Sequence, residues 1–189
     1  AIGGTHGKTT TSSMVAHLLK HHEKGCSAFI GGIMTNYESN LIIGDENAPV
    51  VVEADEFDRS FHWLVPNYTV VTSVDPDHLD IYGTEEEMRK AFGQFLQQSG
   101  EDGKTLIHYK AAEKVNMHLE HLYYTYGLDG GDIRAHALRA VNGIFIFNYQ
   151  GTKTIKDINL LVPGFHNVEN ALAAITVAVD MGMSSESIR

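Results

Sequence analysis

Short β-branched runs alternate with amphipathic stretches through the first two-thirds of the chain. That alternation predicts strands joined by crossover helices in a largely parallel sheet. Residues 48–52, 68–74 and 105–109 are apolar and free of Asp, Glu, Lys and Arg, as expected of central strands covered on both faces. Residues 84–98 set Met88, Ala91, Phe92, Phe95 and Leu96 three and four apart, behind a Thr84 N-cap and an acidic first turn, which predicts a helix. From about residue 132 to 161 the pattern becomes alternating, with Asn142-Gly143 suited to a type I′ hairpin turn, so a smaller antiparallel segment is expected there. A last alanine-rich helix is expected over residues 167–181, after Pro163-Gly164 and before Gly182. Ser184 reads as the start of another helix, and the first strand has almost nothing before its turn. Both ends therefore read as cut from a longer chain.

At 189 residues with 43% hydrophobic content the chain can bury a continuous core. Its 14 Lys and Arg against 24 Asp and Glu give a net charge of -10, which argues against a nucleic-acid partner gripped through its phosphate backbone. No apolar run approaches the roughly 20 residues of a membrane span. The single cysteine, Cys26, offers no internal disulfide and fits a cytoplasmic location.

Candidate chemistry begins at Gly4-Thr5-His6-Gly7-Lys8-Thr9-Thr10, between a short apolar start and the helical face Met14, Val15, Leu18 and Leu19. Glycines let backbone N–H groups converge on a phosphate, and a helix N-terminus adds partial positive charge. Lys8 would reach β and γ oxygens, and the Thr9 hydroxyl would enter the shell of a bridging Mg²⁺. The loop is a variant: only two residues separate Gly4 from Gly7, and Ile2 occupies the position where the general phosphate-loop pattern has its first glycine. The plainer alternative is a glycine turn with an exposed lysine.

Two further polar turns follow predicted strands, at the sheet edge where α/β folds present ligand sites. Glu53-Ala54-Asp55-Glu56-Phe57-Asp58 follows Val50-Val51-Val52, and Asp75-Pro76-Asp77-His78-Leu79-Asp80 follows residues 70–74. A carboxylate cluster repels itself unless a cation is near, and Mg²⁺ beside the phosphate loop would be that cation. A solvated acidic loop is the alternative. His78 alone would read as a turn or core histidine, and His17, His21 and His22 as residues on or near a solvated helix face.

Taken in order, Gly4-Thr5-His6-Gly7-Lys8-Thr9-Thr10-Thr11, Glu53-Ala54-Asp55-Glu56, Asp77-His78-Leu79-Asp80 and His166-Asn167-Val168-Glu169-Asn170-Ala171 resemble the Mur ligase family of peptidoglycan synthesis. The first two motifs are most similar to the branch that adds L-alanine to UDP-N-acetylmuramate. The resemblance spans nearly all of residues 1–189 and covers only the family's central ATP-binding domain, the flanking substrate and C-terminal domains being absent. It implies an α/β fold of phosphate-loop type and a ligase that uses ATP to phosphorylate the lactoyl carboxylate of UDP-N-acetylmuramate, which the amine of L-alanine then attacks. A ligase attaching a tripeptide to the same sugar nucleotide is a close rival. An unrelated phosphate-loop kinase or hydrolase, or a nucleotide-binding module without catalysis, is a more distant one.

Matched motif by motif, the resemblance implies that Lys8 binds the β and γ phosphates, with Gly4, Thr5, His6, Gly7, Thr9 and Thr10 around them. Thr9 and Glu53 would hold the first Mg²⁺ and His78 the second. Lys8, Glu53 and His78 are thus the expected catalytic group. Asn167 and Asn170 would read the adenine, since an amide both donates and accepts; an N-cap and an exposed helix position are the alternative reading. Several family members carry a carbamylated lysine on the helix after the Asp-His turn. Here the nearest lysine is Lys90, followed by Ala91, Phe92 and Gly93, so none is expected, and Asp55, Asp77 or water would complete the second metal. No obligate protein partner is implied.

Overall fold

A computed structural model describes residues 1–77, 79–100, 102–115 and 123–189; His78 lies outside the described residues. In chain order, β1 (Ile2–Gly3) turns into α1 (Lys8–Lys20), followed by β2 (Ser27–Met34), β3 (Ser39–Ile42) and β4 (Val50–Val52). Then come a 3-10 turn at Ser60–Trp63, β5 (Tyr68–Val71), α2 (Leu79–Tyr82), α3 (Glu85–Gln97), β6 (Lys104–His108), α4 (Tyr109–Val115) and β7 (Tyr123–Tyr126). The chain closes with β8 (Arg134–Val141), β9 (Ile144–Gln150), β10 (Thr154–Leu160), α5 (Phe165–Asp180) and α6 (Ser185–Ile188).

The central sheet has the order β1-β5-β6-β7, every neighbour parallel. Its strands alternate faces as period-two geometry requires. Val70 and Leu106 point into one core with Val15, Leu19 and Leu172, while Val71 and Ile107 point into another with Phe61, Met88, Phe92 and Phe95. Burial on both faces is why these strands carry no charged alternation. Alpha helix α3 supplies the second core from the face that the three-and-four spacing marked. Its Thr84 side chain accepts from the Glu87 N–H at 3.2 Å. On the opposite face α1 packs against α5, whose Ala171, Ala173, Ala174 and Ala178 are buried and keep the helix surface low enough for close contact.

The antiparallel segment is the sheet β10-β9-β8, and its hairpin turn has Asn142 at φ 51° and Gly143 at φ 82°, both positive as type I′ demands. Residues 48–52 play a different part from the central strand expected of them. Only Val50–Val52 is strand, in a separate sheet β3-β2-β4, and a single bridge, Ile2 to Glu53, links that sheet to β1. Helix α5 begins two residues before residue 167, straight after Gly164, which sits at φ 111° with no side-chain cap. Among the described residues, no helix is long and apolar enough to cross a membrane.

Candidate active site

The carboxyl ends of β1, β4 and β5 share one rim, and three loops meet there. The glycine loop after β1 is clamped by the residues after β5. Thr5 N–H donates to Ser73 O at 3.1 Å, His6 N–H to Ser73 Oγ at 2.8 Å, and the Thr72 hydroxyl to His6 O at 2.5 Å. Gly4 has φ 137°, and a Cβ there would lie 2.2 Å from Thr72 Oγ1, so only glycine fits between the two loops. Gly7 is the N-cap of α1 at φ 83°. The first α-helical bond is Thr11 N–H to Gly7 O at 2.9 Å, which leaves the N–H groups of Lys8, Thr9 and Thr10 outside the helical ladder at the positive end of the dipole.

The acidic turn meets this loop. Lys8 Nζ donates to Gly4 O at 2.7 Å and lies 2.8 Å from each oxygen of Glu56, whose side chain is 1% exposed. Glu56 is fixed in turn by Tyr82, whose hydroxyl donates to Glu56 O at 2.6 Å. Burial, with the Glu56 charge beside it, pushes the Tyr82 phenol up to about 12. Next to this pair, Thr9 Oγ1 donates to Glu53 Oε1 at 2.7 Å, and Gly31 N–H donates to Glu53 Oε2 at 2.6 Å. Thr9 is exposed. Asp55 Oδ1 accepts from the Phe57 N–H at 2.9 Å. Asp75 pairs with Lys114.

Asn167 and Asn170 lie behind the loop. Asn170 Oδ1 accepts from Thr11 Oγ1 at 3.2 Å, Asn170 Nδ2 donates to Asn167 Oδ1 at 3.1 Å, and Asn167 Nδ2 donates to Pro163 O at 2.7 Å. Gly164, not Asn167, is the N-cap of α5, and both asparagines are buried, which removes the alternative of an N-cap and an exposed position. Asn170 also lines a cavity of about 350 Å³ beside the loop, with His6, Gly7, Ser73, His108 and Lys110. In its wall His108 Nε2 lies 3.0 Å from Glu169 Oε1, which also accepts from the Leu128 N–H at 3.2 Å. Burial alone would raise the Glu169 carboxyl, but the bonds from His108 and Leu128 and the charges of His108 and Lys110 outweigh it and hold it low. On the other flank of α1 a cavity of about 650 Å³ is bordered by Thr9, Thr10, Ser13, His17, Thr35 and Tyr37.

The donor set at Thr9 and Glu53 suits a hard divalent cation. Mg²⁺ is ordinarily held through one or two carboxylates together with substrate phosphates and water, not by a complete protein cage. One carboxylate and one hydroxyl beside a phosphate-type loop fit that habit. Among the described residues no group of three or more His, Cys, Asp and Glu side chains converges, as a closed cage would require.

Thus the structure brings Gly4, Thr5, His6, Gly7, Lys8, Thr9, Thr10 and Glu53 to one rim, with Asn170 and Asn167 beneath it. Sequence reasoning quoted Glu56 and Glu169 within motifs but gave them no role of their own, and passed over Thr72, Ser73, Gly31 and His108. A lysine in a glycine loop that needs a counter-ion could have pointed to the second acid of Glu53-Ala54-Asp55-Glu56. The others are joined only by the fold.

A glycine turn from the first parallel strand into a helix, with the ligand rim at the strands' carboxyl ends, places this fold in the phosphate-loop class of α/β domains. Within that class, residues 2–178 match the model of the Mur ligase middle domain, and the chain belongs to this family. A UDP-N-acetylmuramate–L-alanine ligase of Parabacteroides distasonis is 46% identical over 192 residues, covering 100% of this chain and 41% of that protein. The corresponding ligase of Phocaeicola vulgatus is 42% identical over 189 residues, again 100% of this chain and 41% of the other. Among solved structures, the UDP-N-acetylmuramate-alanine ligase of Thermotoga maritima superposes with a TM-score of 0.82 at 32% identity, over 99% of this chain and 43% of that one. A UDP-N-acetylmuramate tripeptide ligase from Neisseria meningitides has a TM-score of 0.83 at 24% identity, over 99% of this chain and 64% of that one, a likeness of fold. The chain therefore spans about 41% of the length of the relatives it matches in sequence.

Proposed function

We propose that these residues form the central, ATP-binding domain of a cytoplasmic ligase that joins L-alanine to UDP-N-acetylmuramate. What carries the reading is the meeting of Lys8, Thr9 and Glu53: a cation in a glycine loop, and a hydroxyl 2.7 Å from a carboxylate, at one rim of a parallel sheet. The names of the relatives at 42% and 46% identity support the choice of substrates. A carboxylate is a poor acylating agent, and phosphoryl transfer from ATP to it brings two anions together, so cationic groups must offset their repulsion.

In this reading Lys8 moves its ammonium from Gly4 O and Glu56 toward the β and γ oxygens, and the N–H groups of Lys8, Thr9 and Thr10 receive phosphate at the helix start. Thr9 and Glu53 would hold the first Mg²⁺, which supplies Lewis-acid neutralisation of phosphate charge when bound. We assign a second such ion to His78 and the adenine to Asn167 and Asn170. Asn170 borders the cavity and its amide joins α1 to α5, so it would hold base and loop in one geometry. The L-alanine amine then attacks the activated carboxyl carbon, and phosphate leaves.

Lys8→Ala in the intact chain is expected to abolish Mg²⁺-dependent ATP binding in a calorimetric titration; retained affinity would remove the basis of the assignment. Offering the intact chain UDP-N-acetylmuramate with L-alanine or with a tripeptide then fixes the amine donor. Turnover of ATP without the sugar nucleotide would instead mark a kinase or hydrolase.

A further inference from the structure

Strand β2 runs past the end of its parallel partner where the Thr9 and Glu53 side chains converge. Phe29 pairs with Val52, the last residue of β4, and Glu53 N–H still donates to Phe29 O at 3.0 Å. Two residues further on, the Gly31 N–H is given to a side chain, Glu53 Oε2, at 2.6 Å. Pairing with β3 is interrupted over the same stretch, its register shifting between Phe29 and Met34. The other carboxylate oxygen, Oε1, takes the Thr9 hydroxyl at 2.7 Å.

The two glycines here are not required by backbone conformation, since neither Gly31 nor Gly32 is among the residues of positive φ. Space is short at both positions. A Cβ at Gly31 would lie 3.0 Å from both Glu53 oxygens, and a Cβ at Gly32 would lie 2.9 Å from Thr9 Cγ2. Adjacent residues of one strand thus abut the carboxylate and the hydroxyl that face each other across the rim. A glutamate bonded only at one oxygen keeps rotamer freedom, whereas a charge-assisted bond from a strand amide to the other oxygen fixes its plane.

We propose that Gly31 and Gly32 are positioning residues of the divalent-cation site: the Gly31 amide fixes the Glu53 carboxylate, and the missing side chains at both positions leave room for it and for Thr9. The inference rests on the reading of Thr9 and Glu53 as metal ligands. Substituting either glycine moves a ligand without touching Lys8, so it separates metal binding from phosphate binding. Outer partners that orient metal ligands commonly change affinity by about 10–100-fold when lost.

The test uses the intact chain, with Mn²⁺ as a paramagnetic stand-in for Mg²⁺ and a non-hydrolysable ATP analogue. Gly31→Ala and Gly32→Ala are each expected to weaken Mn²⁺ binding, read by electron paramagnetic resonance, by about tenfold or more. Affinity for the analogue without metal should stay at the wild-type value. Adding Thr9→Ser to Gly32→Ala, which removes the obstructing methyl and keeps the hydroxyl, should restore Mn²⁺ affinity. Adding Gly31→Ala to Glu53→Gln should cost nothing further. Unchanged Mn²⁺ affinity in the folded glycine variants, or no rescue by Thr9→Ser, overturns the proposal. Should Gly31→Ala fail to fold, the Gly32 and Thr9 pair decides it alone. Wild-type protein that binds the analogue with no Mn²⁺ dependence overturns the metal site itself, a failure distinct from that of the glycines.

Discussion

Lys8 has its partners before any phosphate arrives, with Gly4 O at 2.7 Å and both Glu56 oxygens at 2.8 Å. Glutamate at 56 neutralises a largely buried ammonium, and if Lys8 binds phosphate as proposed, the two anions compete for the same charge. Glu56→Gln should therefore lower stability without nucleotide by about 2–5 kcal/mol, the range between losing a hydrogen bond to a charged group and leaving a buried charge unpaired. It should also enlarge the rise in melting temperature that ATP and Mg²⁺ produce, because the ligand then supplies the missing anion. A smaller rise than in wild type would show that Glu56 serves to aim the lysine. A second titratable group sits at the far end of α1, where His17 Nδ1 lies 2.8 Å from the Tyr37 hydroxyl. Burial first, then the charge of neighbouring His21, hold its imidazole below the ordinary value of 6.5. As pH falls through 6.5 the unfolded chain takes a proton that the folded chain refuses, so stability is full above that value and declines below it. Melting temperatures followed from about pH 7.5 to pH 5 should show this decline. His17→Gln, which keeps a polar group for Tyr37 and removes the titration, should flatten it.

At the level of elements, legibility followed how local the cause was. Helix α3 was readable because its cap, its acidic first turn and its apolar stripe all lie within one stretch of sequence. The Thr84 cap is the testable part: Thr84→Ala should cost about 1 kcal/mol in urea unfolding, the usual loss of a hydroxyl cap. Strand β2 was not readable, because Gly31-Gly32 break its apolar run for a reason that lies on Glu53 and Thr9, in other parts of the chain. Val50–Val52 was readable as strand but not as a member of the outer sheet, since pairing partners leave no mark on a three-residue run. Helix α5 starts at a glycine without a side-chain cap, so no capping residue announced its first turn.

For the whole molecule, the glycine loop was legible as a local motif, while its walls come from across the chain: Thr11 meets Asn170 over 159 positions and Lys8 meets Glu56 over 48. The bridge that sets Glu53 beside Ile2 of β1 and the packing of α1 on α5 bring these residues together. The same architecture sets a limit on what residues 1–189 do alone. Two apolar cores, one on each face of the sheet, give them the means to fold. Yet the relatives they match are more than twice as long, with this chain covering 41% of each. If the ligase reading holds and these residues belong to a chain as long as those relatives, the sugar nucleotide and the amine are held mainly by its other parts. Bringing a nucleophile to a reacting carbon can account for about 7–11 kcal/mol of a barrier, and that part is missing when the partners are not held together. The isolated 189 residues should therefore bind ATP weakly and form no amide, while the intact chain ligates under the same conditions. Titration calorimetry and a phosphate-release assay on both proteins check this, and measurable ligation by the shorter one would mean that this domain holds all three substrates itself.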